Sequence, residues 1–403
     1  MIKKIGVQQL RPGMFVHDMD CGWMEHPFLT GSFKVRGDKE IEKMMGHGIL
    51  ELYIDSEKGL DLEDAPTQPE VEASISHQMA VAIDKVNPLE PTSLREELGR
   101  ARIVLLEANK IIGEVMNSAR VGRQIEQEQV NHVVGKMSDS ILRNKYALLS
   151  LCRIKEKDNF TFLHSISVGA LLMSFVRSFN LKPGDMQMVG IGGMLHDIGK
   201  TMVPDRILNK AGSLTNDEFT TMKMHVHFGQ RILSDMPGIS QTSLDVVAQH
   251  HERYDGSGYP LKLKGEEMSL YGQMASIVDV YDSITSDRCY SSAMAPSVAL
   301  RKMFEWSKLY FAPELIQFFV RTVGIYPVGT LVMLESGKLA VVIEQQGRDL
   351  TRPLVRAVFD SKKSGPLTVH DIDLSKPLGQ GGGDRILNHE ASAKWNINPH
   401  QFA

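Results

Sequence analysis

The residues best suited to chemistry in this sequence are histidines and aspartates between residues 146 and 325. Two adjacent histidines, His250 and His251, precede a turn containing two glycines and a proline in "QHHERYDGSGYP". His196 and Asp197 are neighbours in "GMLHDIGK". The remaining candidates are His164 in "TFLHSISVG", His225 in "MKMHVHFG" and Asp279 in "SIVDVYDSITSDR".

Each of these residues, taken alone, is more often structural than functional, because a single histidine in an apolar helix is usually a hydrogen-bonded core residue. Together they indicate a metal site, since imidazole and carboxylate ligands suit Fe, Mn, Zn or Ni. Five histidines and two aspartates are about what two adjacent metals require, and Asp197 could bridge them. Two metals about 3.5–4 Å apart can share a hydroxide and hold a phosphodiester for in-line attack. The ligands would come from separate helices, as in a helical bundle.

Five blocks of this segment resemble the HD-GYP subgroup of the HD phosphohydrolase superfamily. In chain order they are "DNFTFLHS", "LHDIGKTMVPDRIL", "MKMHVHFG", "QHHERYDGSGYP" and "DVYDSITSDRCY". The resemblance covers residues 146 to 325 and implies a helical fold, a site for two or three metals, and cyclic di-GMP (c-di-GMP) phosphodiesterase activity. The metal ligands that it implies, position by position, are His164, His196, Asp197, His225, His250, His251 and Asp279.

The resemblance also implies how these ligands divide between the metals. One metal would take His164, His196 and Asp279, the other would take His225, His250 and His251, and Asp197 would bridge them. Some family members hold a third metal through a glutamate four residues before the first histidine, where this chain has Phe160. We therefore expect two divalent metals per chain, Fe or Mn, with a bridging hydroxide as the nucleophile.

Four residues are expected to contact the substrate. Lys200 follows the catalytic ligand Asp197 by three positions and could hold a phosphate oxygen or protonate the leaving 3′ oxygen; the alternative is a solvated lysine at a helix end. Arg288 could bind phosphate through its bidentate fork. Tyr259 of Gly-Tyr-Pro could donate to phosphate and pack on the ligand. Asp158 could accept from the N1–H and N2 amine of guanine.

The expected reaction is hydrolysis of c-di-GMP to pGpG, with further cleavage to GMP as an open second step. One alternative is a catalytically silent protein that binds c-di-GMP or acts as a scaffold. Another is a hydrolase of a different cyclic dinucleotide, such as 3′,3′-cGAMP. The complete ligand set and Lys200 favour an enzyme over the silent protein, and the Gly-Tyr-Pro loop and Arg288 argue against a general nucleotide phosphohydrolase.

Composition restricts the partners and the compartment. The 403 residues carry a net charge of -4, which argues against binding a nucleic-acid polymer. Three cysteines without a CxxC pair suit a reducing compartment. The start "MIKKIGVQQLRPGMF" has no apolar core of signal-peptide length, and the longest apolar run, "VGALLMSFV", is far short of a membrane span. These features predict a cytoplasmic protein without membrane insertion.

The elements that must position the site are predominantly helical. We predict a mostly α fold, in which a helical HD-GYP bundle is flanked by small β-rich N-terminal and C-terminal segments. The predicted regions are a β-containing domain at 1–65, a linker and long amphipathic helical region at 66–145, the HD-GYP domain at 146–325, and a β-rich extension with a partly disordered tail at 326–403. "VGTLVMLESGKLAVVIEQQ" predicts a hairpin around "ESGK".

Two contacts with other molecules are left open by the sequence. The long amphipathic helix could pack on the catalytic domain or on a second copy of itself in a homodimer. The Gly-Tyr-Pro loop could also contact a partner protein.

Overall fold

The computed structural model describes residues 1–20, 31–82, 90–153, 162–179, 181–210, 212, 214–286, 293–345, 349–378 and 380–402. The chain divides into two units, Met1–Val81 and Ala82–Ala403. Its elements are mostly α-helices, with one small antiparallel sheet in each unit, which confirms the predicted fold class. None of the helices in these ranges is long and apolar enough to cross a membrane.

The N-terminal unit is built on a four-stranded antiparallel sheet in the order β1-β4-β2-β3. Ile5 pairs with Leu52 across β1 and β4, and both side chains are buried in its core. A helix that the sequence analysis missed, α1, packs beside the sheet and buries Met44. Helix α2 begins within the segment whose composition favours a linker. The bounds are β1 (Ile2–Gly6), β2 (Phe15–Asp18), β3 (Phe33–Lys34), α1 (Asp38–Gly46), β4 (Glu51–Asp55) and α2 (Gln68–Ala82).

The second unit begins with a run of helices that form the bundle. Their bounds are α3 (Leu94–Arg120), α4 (Gln127–Arg143), α5 (Lys145–Arg153), α6 (Leu163–Ser178), α7 (Pro183–Leu195), α8 (Asp205–Leu208), α9 (Asn216–Ser234), α10 (Gln241–Gln249), α11 (Leu270–Ile284), α12 (Pro296–Glu305) and α13 (Pro313–Val323). Helices α6 and α7 form its centre. A Cβ on Gly193 would lie 2.8 Å from the Gly169 Cα, so these two glycines allow the helices to approach closely.

The long amphipathic helix α3 packs on α4 and α5 of the same chain. It starts with a capping box, in which the Ser93 side chain accepts from the Glu96 amide and Glu96 caps Ser93 in return. It ends at Arg120, just before Gly122, whose φ of 67° lies in the left-handed region. Gly122 therefore stands just after the end of this helix.

A buried ion pair fastens α3 to α4. Glu97 is fully buried at 0% exposure and accepts from Ser140 Oγ at 2.8 Å and from Arg143 Nε at 2.7 Å. Burial acts to raise the pKa of Glu97, but the hydrogen bonds from Arg143 and Ser140 outweigh it, and the pKa lies below its ordinary value of 4.5. The pair therefore stabilises the folded protein most when Glu97 is ionised.

Replacing Glu97 by glutamine is expected to lower the free energy of unfolding by about 3 kcal/mol at pH 7, because it leaves Arg143 without its counter-charge. The pKa of Glu97 in the folded protein lies below its ordinary value of 4.5. The difference in free energy of unfolding between wild type and variant is therefore fully present above pH 4.5, and it is lost as the pH falls through the folded-state pKa. Urea unfolding followed by circular dichroism at stepped pH measures it. The matched control is Glu107→Gln on the same helix, where the half-exposed pair with Lys136 contributes less than about 1 kcal/mol. Equal losses in the two variants would contradict the prediction.

A five-stranded antiparallel sheet follows the bundle, in the order β8-β7-β6-β5-β9. Leu331 pairs with Val341, which confirms the hairpin predicted around "ESGK". Arg153 of α5 donates to the Val328 carbonyl oxygen at 2.9 Å and to Thr330 Oγ1 at 3.1 Å, so it attaches the bundle to the sheet. The bounds are β5 (Leu331–Leu334), β6 (Lys338–Glu344), β7 (Leu354–Asp360), β8 (Gly365–Asp373), β9 (Ile386–His389) and α14 (Ser392–Trp395).

Candidate metal centre

Five helices bring all seven predicted ligands to one place in the bundle. Two ligands follow directly after a helix end: His196 comes after α7 and His250 after α10. Asp197 precedes a 3₁₀ turn at Ile198–Met202. The other ligands are His164 in the first turn of α6, His225 on α9, His251 beside His250, and Asp279 on α11. The seven side chains meet because they lie at the ends or on the inner faces of helices that pack against one another.

Asp197 lies between two sets of histidines. Its Oδ1 is 3.6 Å from His225 Nε2 and 3.9 Å from His250 Nε2. Its Oδ2 is 3.3 Å from His196 Nε2 and 3.7 Å from His164 Nε2. The two carboxylate oxygens therefore face different imidazole pairs, as a bridging ligand requires.

Asp279 is the second carboxylate of the cluster. Its Oδ1 lies 3.2 Å from His164 Nε2 and 3.7 Å from His196 Nε2. Its Oδ2 lies 3.7 Å from His251 Nδ1. Asp279 thus stands with the two histidines that the sequence analysis grouped with it, and it also reaches one histidine of the other group.

Three of the imidazoles are oriented by the backbone. In each, Nδ1 donates to the carbonyl oxygen three residues earlier, and Nε2 is left facing the cluster. The contacts are His196 to Gly193 at 2.8 Å, His225 to Met222 at 2.7 Å, and His250 to Val247 at 2.8 Å. Such outer hydrogen bonds fix the tautomer and ring orientation of metal-ligating histidines.

His164 is oriented by a carboxylate. Its Nδ1 donates to Asp282 Oδ2 at 2.7 Å, and Ser167 Oγ donates to the other oxygen at 2.5 Å. Ser167 was missed, although its position one helical turn after His164 was a usable signal.

Burial and neighbouring charges set the protonation of the carboxylates. Burial acts to raise the pKa of Asp197, but the charges of His196 and Lys200 outweigh it and hold the pKa well below 3.8. Burial likewise acts to raise the pKa of Asp279, but the hydrogen bond and the positive charge of His164 hold it well below 3.8. Both groups are therefore anionic at neutral pH.

Four of the imidazoles have shifted pKa values, three lowered and one raised. Burial lowers the pKa of His225 to about 4 and that of His250 to about 3. Burial also lowers the pKa of His251 well below 6.5. These three are neutral and present lone pairs. Burial acts to lower the pKa of His164 too, but Asp279 and Asp282 outweigh it and raise the pKa to about 9.

Two buried atoms at the centre of the cluster, His196 Nε2 and Asp197 Oδ1, have no hydrogen-bond partner among the described residues. A buried polar atom without a partner costs about 1–3 kcal/mol. Around these atoms the ligand atoms form two overlapping groups, each within 4.8 Å: His164, His196 and Asp197, and Asp197, His225, His250 and His251. The neutral imidazoles of His225, His250 and His251 and the ionised carboxylates suit divalent metal ions, and a metal at His164 would displace the proton of its Nε2.

Lys200 and Tyr259 both lie beside the cluster. Helix α7 has ended before Lys200, yet the 3₁₀ turn places Lys200 Nζ 2.7 Å from Asp197 Oδ2. The Tyr259 ring stacks on His251, with ring centroids 4.7 Å apart and an interplanar angle of 30°. The structure thus brings two of the four predicted substrate contacts to the predicted ligands.

Two family models match this chain. An HD domain matches residues 140–315, and a domain of unknown function, DUF3391, matches residues 2–130. Cyclic di-GMP phosphodiesterase PA4108 of Pseudomonas aeruginosa is 39% identical over 402 residues, which are 98% of this chain and 94% of that protein. The chain belongs to the HD-GYP family. The DUF3391 match spans the N-terminal unit and continues through α3 into the start of α4.

Two further proteins similar to this HD-GYP protein cover less of it. A cyclic di-GMP phosphodiesterase of Thermotoga maritima is 35% identical over 166 residues, which are 41% of this chain and 45% of that protein. Among solved structures, Bd1817, a HDG"Y"P protein from Bdellovibrio bacteriovorus, is 17% identical, covers 79% of this chain and 98% of its own, and has a TM-score of 0.47.

Two glycines of the HD-GYP motif are required by close packing. A Cβ on Gly199, in "HDIGK", would lie 1.9 Å from the His225 carbonyl oxygen. A Cβ on Gly258, in "DGSGYP", would lie 2.4 Å from the Arg253 amide nitrogen. Gly256 is required for its backbone conformation as well, since its φ is 81°. These glycines keep the 3₁₀ turn against α9 and the Gly-Tyr-Pro loop against the residues after His251.

Glu252 holds the Gly-Tyr-Pro loop rather than a ligating histidine. Its buried carboxylate accepts from the amides of Leu261 at 2.7 Å and Leu263 at 3.1 Å. Both oxygens face the backbone after Pro260, so Glu252 does not serve as the outer acceptor of a ligating imidazole. A charged residue just before a glycine-rich loop was the available signal.

Two predicted substrate contacts, Asp158 and Arg288, lie outside the described residues, as does Phe160 at the position of the third-metal glutamate. Their roles stay predictions of the sequence.

Proposed function

We propose that this protein hydrolyses c-di-GMP to pGpG with two divalent metal ions, Fe or Mn. The observation that carries the proposal is Asp197, whose two oxygens face separate histidine pairs around unsatisfied buried atoms. His164, His196 and Asp279 would hold one metal, and His225, His250 and His251 the other. Bound metals of this kind supply an activated water as nucleophile and neutralise phosphate charge.

The side chains beside the metals complete the proposed reaction. The water oxygen bonds to phosphorus, the bond from phosphorus to the 3′ oxygen breaks, and the 3′ oxygen takes a proton. Lys200 is placed to hold a phosphate oxygen or to donate that proton. Tyr259 borders the cluster on its His251 side, and we assign phosphate contact to Arg288 and guanine contact to Asp158. The same site could cleave pGpG further to GMP.

The relatives support this substrate class. PA4108 is named a cyclic di-GMP phosphodiesterase and matches nearly the whole chain. A relative from Vibrio cholerae named 3'3'-cGAMP-specific phosphodiesterase 2 is 28% identical over 165 residues. The longer and closer match favours c-di-GMP over 3′,3′-cGAMP.

The proposal is tested by purifying the protein without oxygen and measuring bound metals and substrate consumption in one sample. We expect about two Fe or Mn ions per chain, since the ligands divide into two groups, and the appearance of pGpG or GMP by chromatography. Two metals with intact c-di-GMP but cleaved 3′,3′-cGAMP would correct the substrate. Two metals with both dinucleotides bound and intact would favour the silent binding protein. A folded protein that takes up no metal even after reconstitution would contradict the proposal.

A further inference from the structure

Lys223 stands between two aromatic rings next to the cluster. It lies on α9, two residues before His225, with its Nζ 4.5 Å from the centroid of the Phe219 ring and 5.2 Å from that of Tyr259. The Tyr259 ring stacks in turn on His251. The positive charge of Lys223 is therefore separated from a predicted metal ligand by a single aromatic ring.

The charge of Lys223 is not neutralised locally. Within the described ranges, no carboxylate lies at ion-pair distance from Lys223, and the groups that contact its ammonium are the two aromatic rings. Two other lysines of the bundle do have acidic partners: Lys210 pairs with Glu218, and Lys136 pairs with Glu107. A half-buried ammonium group without an acidic partner attracts a bound anion.

We propose that Lys223 binds the second phosphate of the substrate, which is the phosphodiester that stays intact while the other one is hydrolysed at the metal ligands. This inference rests on the proposed function. A cyclic dinucleotide carries two phosphodiesters across one compact ring, so placing one at the metal ligands leaves the other a short distance away. Lys200, at Asp197, serves the scissile phosphate, and Lys223, beyond the Tyr259 ring, serves the other. The Phe219 and Tyr259 faces hold the ammonium group in place by cation–π contact.

A purely structural role for Lys223 makes a different prediction. If the lysine only anchors the Gly-Tyr-Pro loop to α9, its loss would disturb the stacking of Tyr259 on His251 and affect every substrate alike. A phosphate-binding role affects substrates with two phosphodiesters and spares small esters that have one. The number of phosphates in the substrate therefore separates the two roles.

The test compares Lys223→Met, Lys223→Arg and wild type, all metal-loaded, on c-di-GMP, 3′,3′-cGAMP and bis(p-nitrophenyl) phosphate. In Lys223→Met we expect KM for the cleaved cyclic dinucleotide to rise about tenfold, as for loss of one charge-assisted hydrogen bond that is partly open to solvent. We expect kcat to change less than about threefold, because the metal ligands are intact. The ratio of kcat/KM for the cyclic dinucleotide to kcat/KM for the small ester should fall about tenfold, and Lys223→Arg should restore most of it.

Lys363→Met, at an exposed turn of the C-terminal sheet, is the control for losing one positive charge, and Lys223→Gln replaces the methionine variant if that variant does not fold. If the wild type is active and Lys223→Met has an unchanged KM for the cyclic dinucleotide, this inference is overturned and the proposed function stands. An equal loss on the small ester would also overturn it, in favour of the structural role. A metal-loaded wild type that cleaves no cyclic dinucleotide would overturn both proposals.

Discussion

Replacing Asp197 by asparagine is expected to lower kcat/KM for c-di-GMP by about 10³-fold or more, equivalent to about 4 kcal/mol of transition-state stabilisation. Asparagine preserves the size of the side chain but removes the negative charge and turns one oxygen into a donor. One of the two imidazole pairs would then face an amide nitrogen, since Oδ1 faces His225 and Oδ2 faces His196. Steady-state kinetics and metal analysis of the same preparation measure the effect, and we expect bound metal to fall as well.

The matched control for this substitution is Asp245→Asn on α10. Asp245 accepts a hydrogen bond from Gln241 at 2.7 Å and is not among the predicted ligands, so activity and metal content should stay near those of wild type. An Asp197→Asn variant that keeps both metals and turns over within tenfold of wild type would show that Asp197 does not bridge them.

The predicted ligands could be found from the sequence because metal binding restricts residue type. Imidazole and carboxylate groups recur at the ends and inner faces of predicted helices, and the structure places all seven of them within one cluster. The orientation of the imidazole rings could not be predicted from residue type. It depends on where helices stop, since His196 and His250 donate to carbonyl oxygens in the last turns of α7 and α10.

Local pattern was similarly informative for some elements and not for others. The hairpin of β5 and β6 was predictable because alternating apolar runs surround Gly337, whose φ is 89°. Helix α1 was missed because it is short and buries a single methionine, Met44, on the sheet, so its pattern depends on tertiary packing. The acceptor role of Glu252 depends on how the loop after Pro260 folds back, and residue spacing does not predict that conformation.

Lys200→Met is expected to lower kcat for c-di-GMP about 10²-fold, with a smaller change in KM. Its Nζ lies 2.7 Å from Asp197 Oδ2, so it stands beside the proposed reacting centre. Removing a general acid typically costs 10²–10⁴-fold, and the leaving 3′ oxygen is a poor leaving group without a proton. Kinetics on c-di-GMP and on bis(p-nitrophenyl) phosphate measure the effect, because p-nitrophenolate leaves without protonation.

The two substrates and a second variant separate the two roles that Lys200 could have. If Lys200 supplies the proton, Lys200→Met should lose much less activity on the p-nitrophenyl ester, and Lys200→Arg should fail to rescue c-di-GMP cleavage, because a guanidinium does not give up its proton. If Lys200 only holds a phosphate oxygen, Lys200→Met should lose activity on both substrates, and Lys200→Arg should restore most of it. Full turnover by Lys200→Met would leave Lys200 as the counter-charge of Asp197 alone, and the proton would then have to reach the 3′ oxygen from another donor.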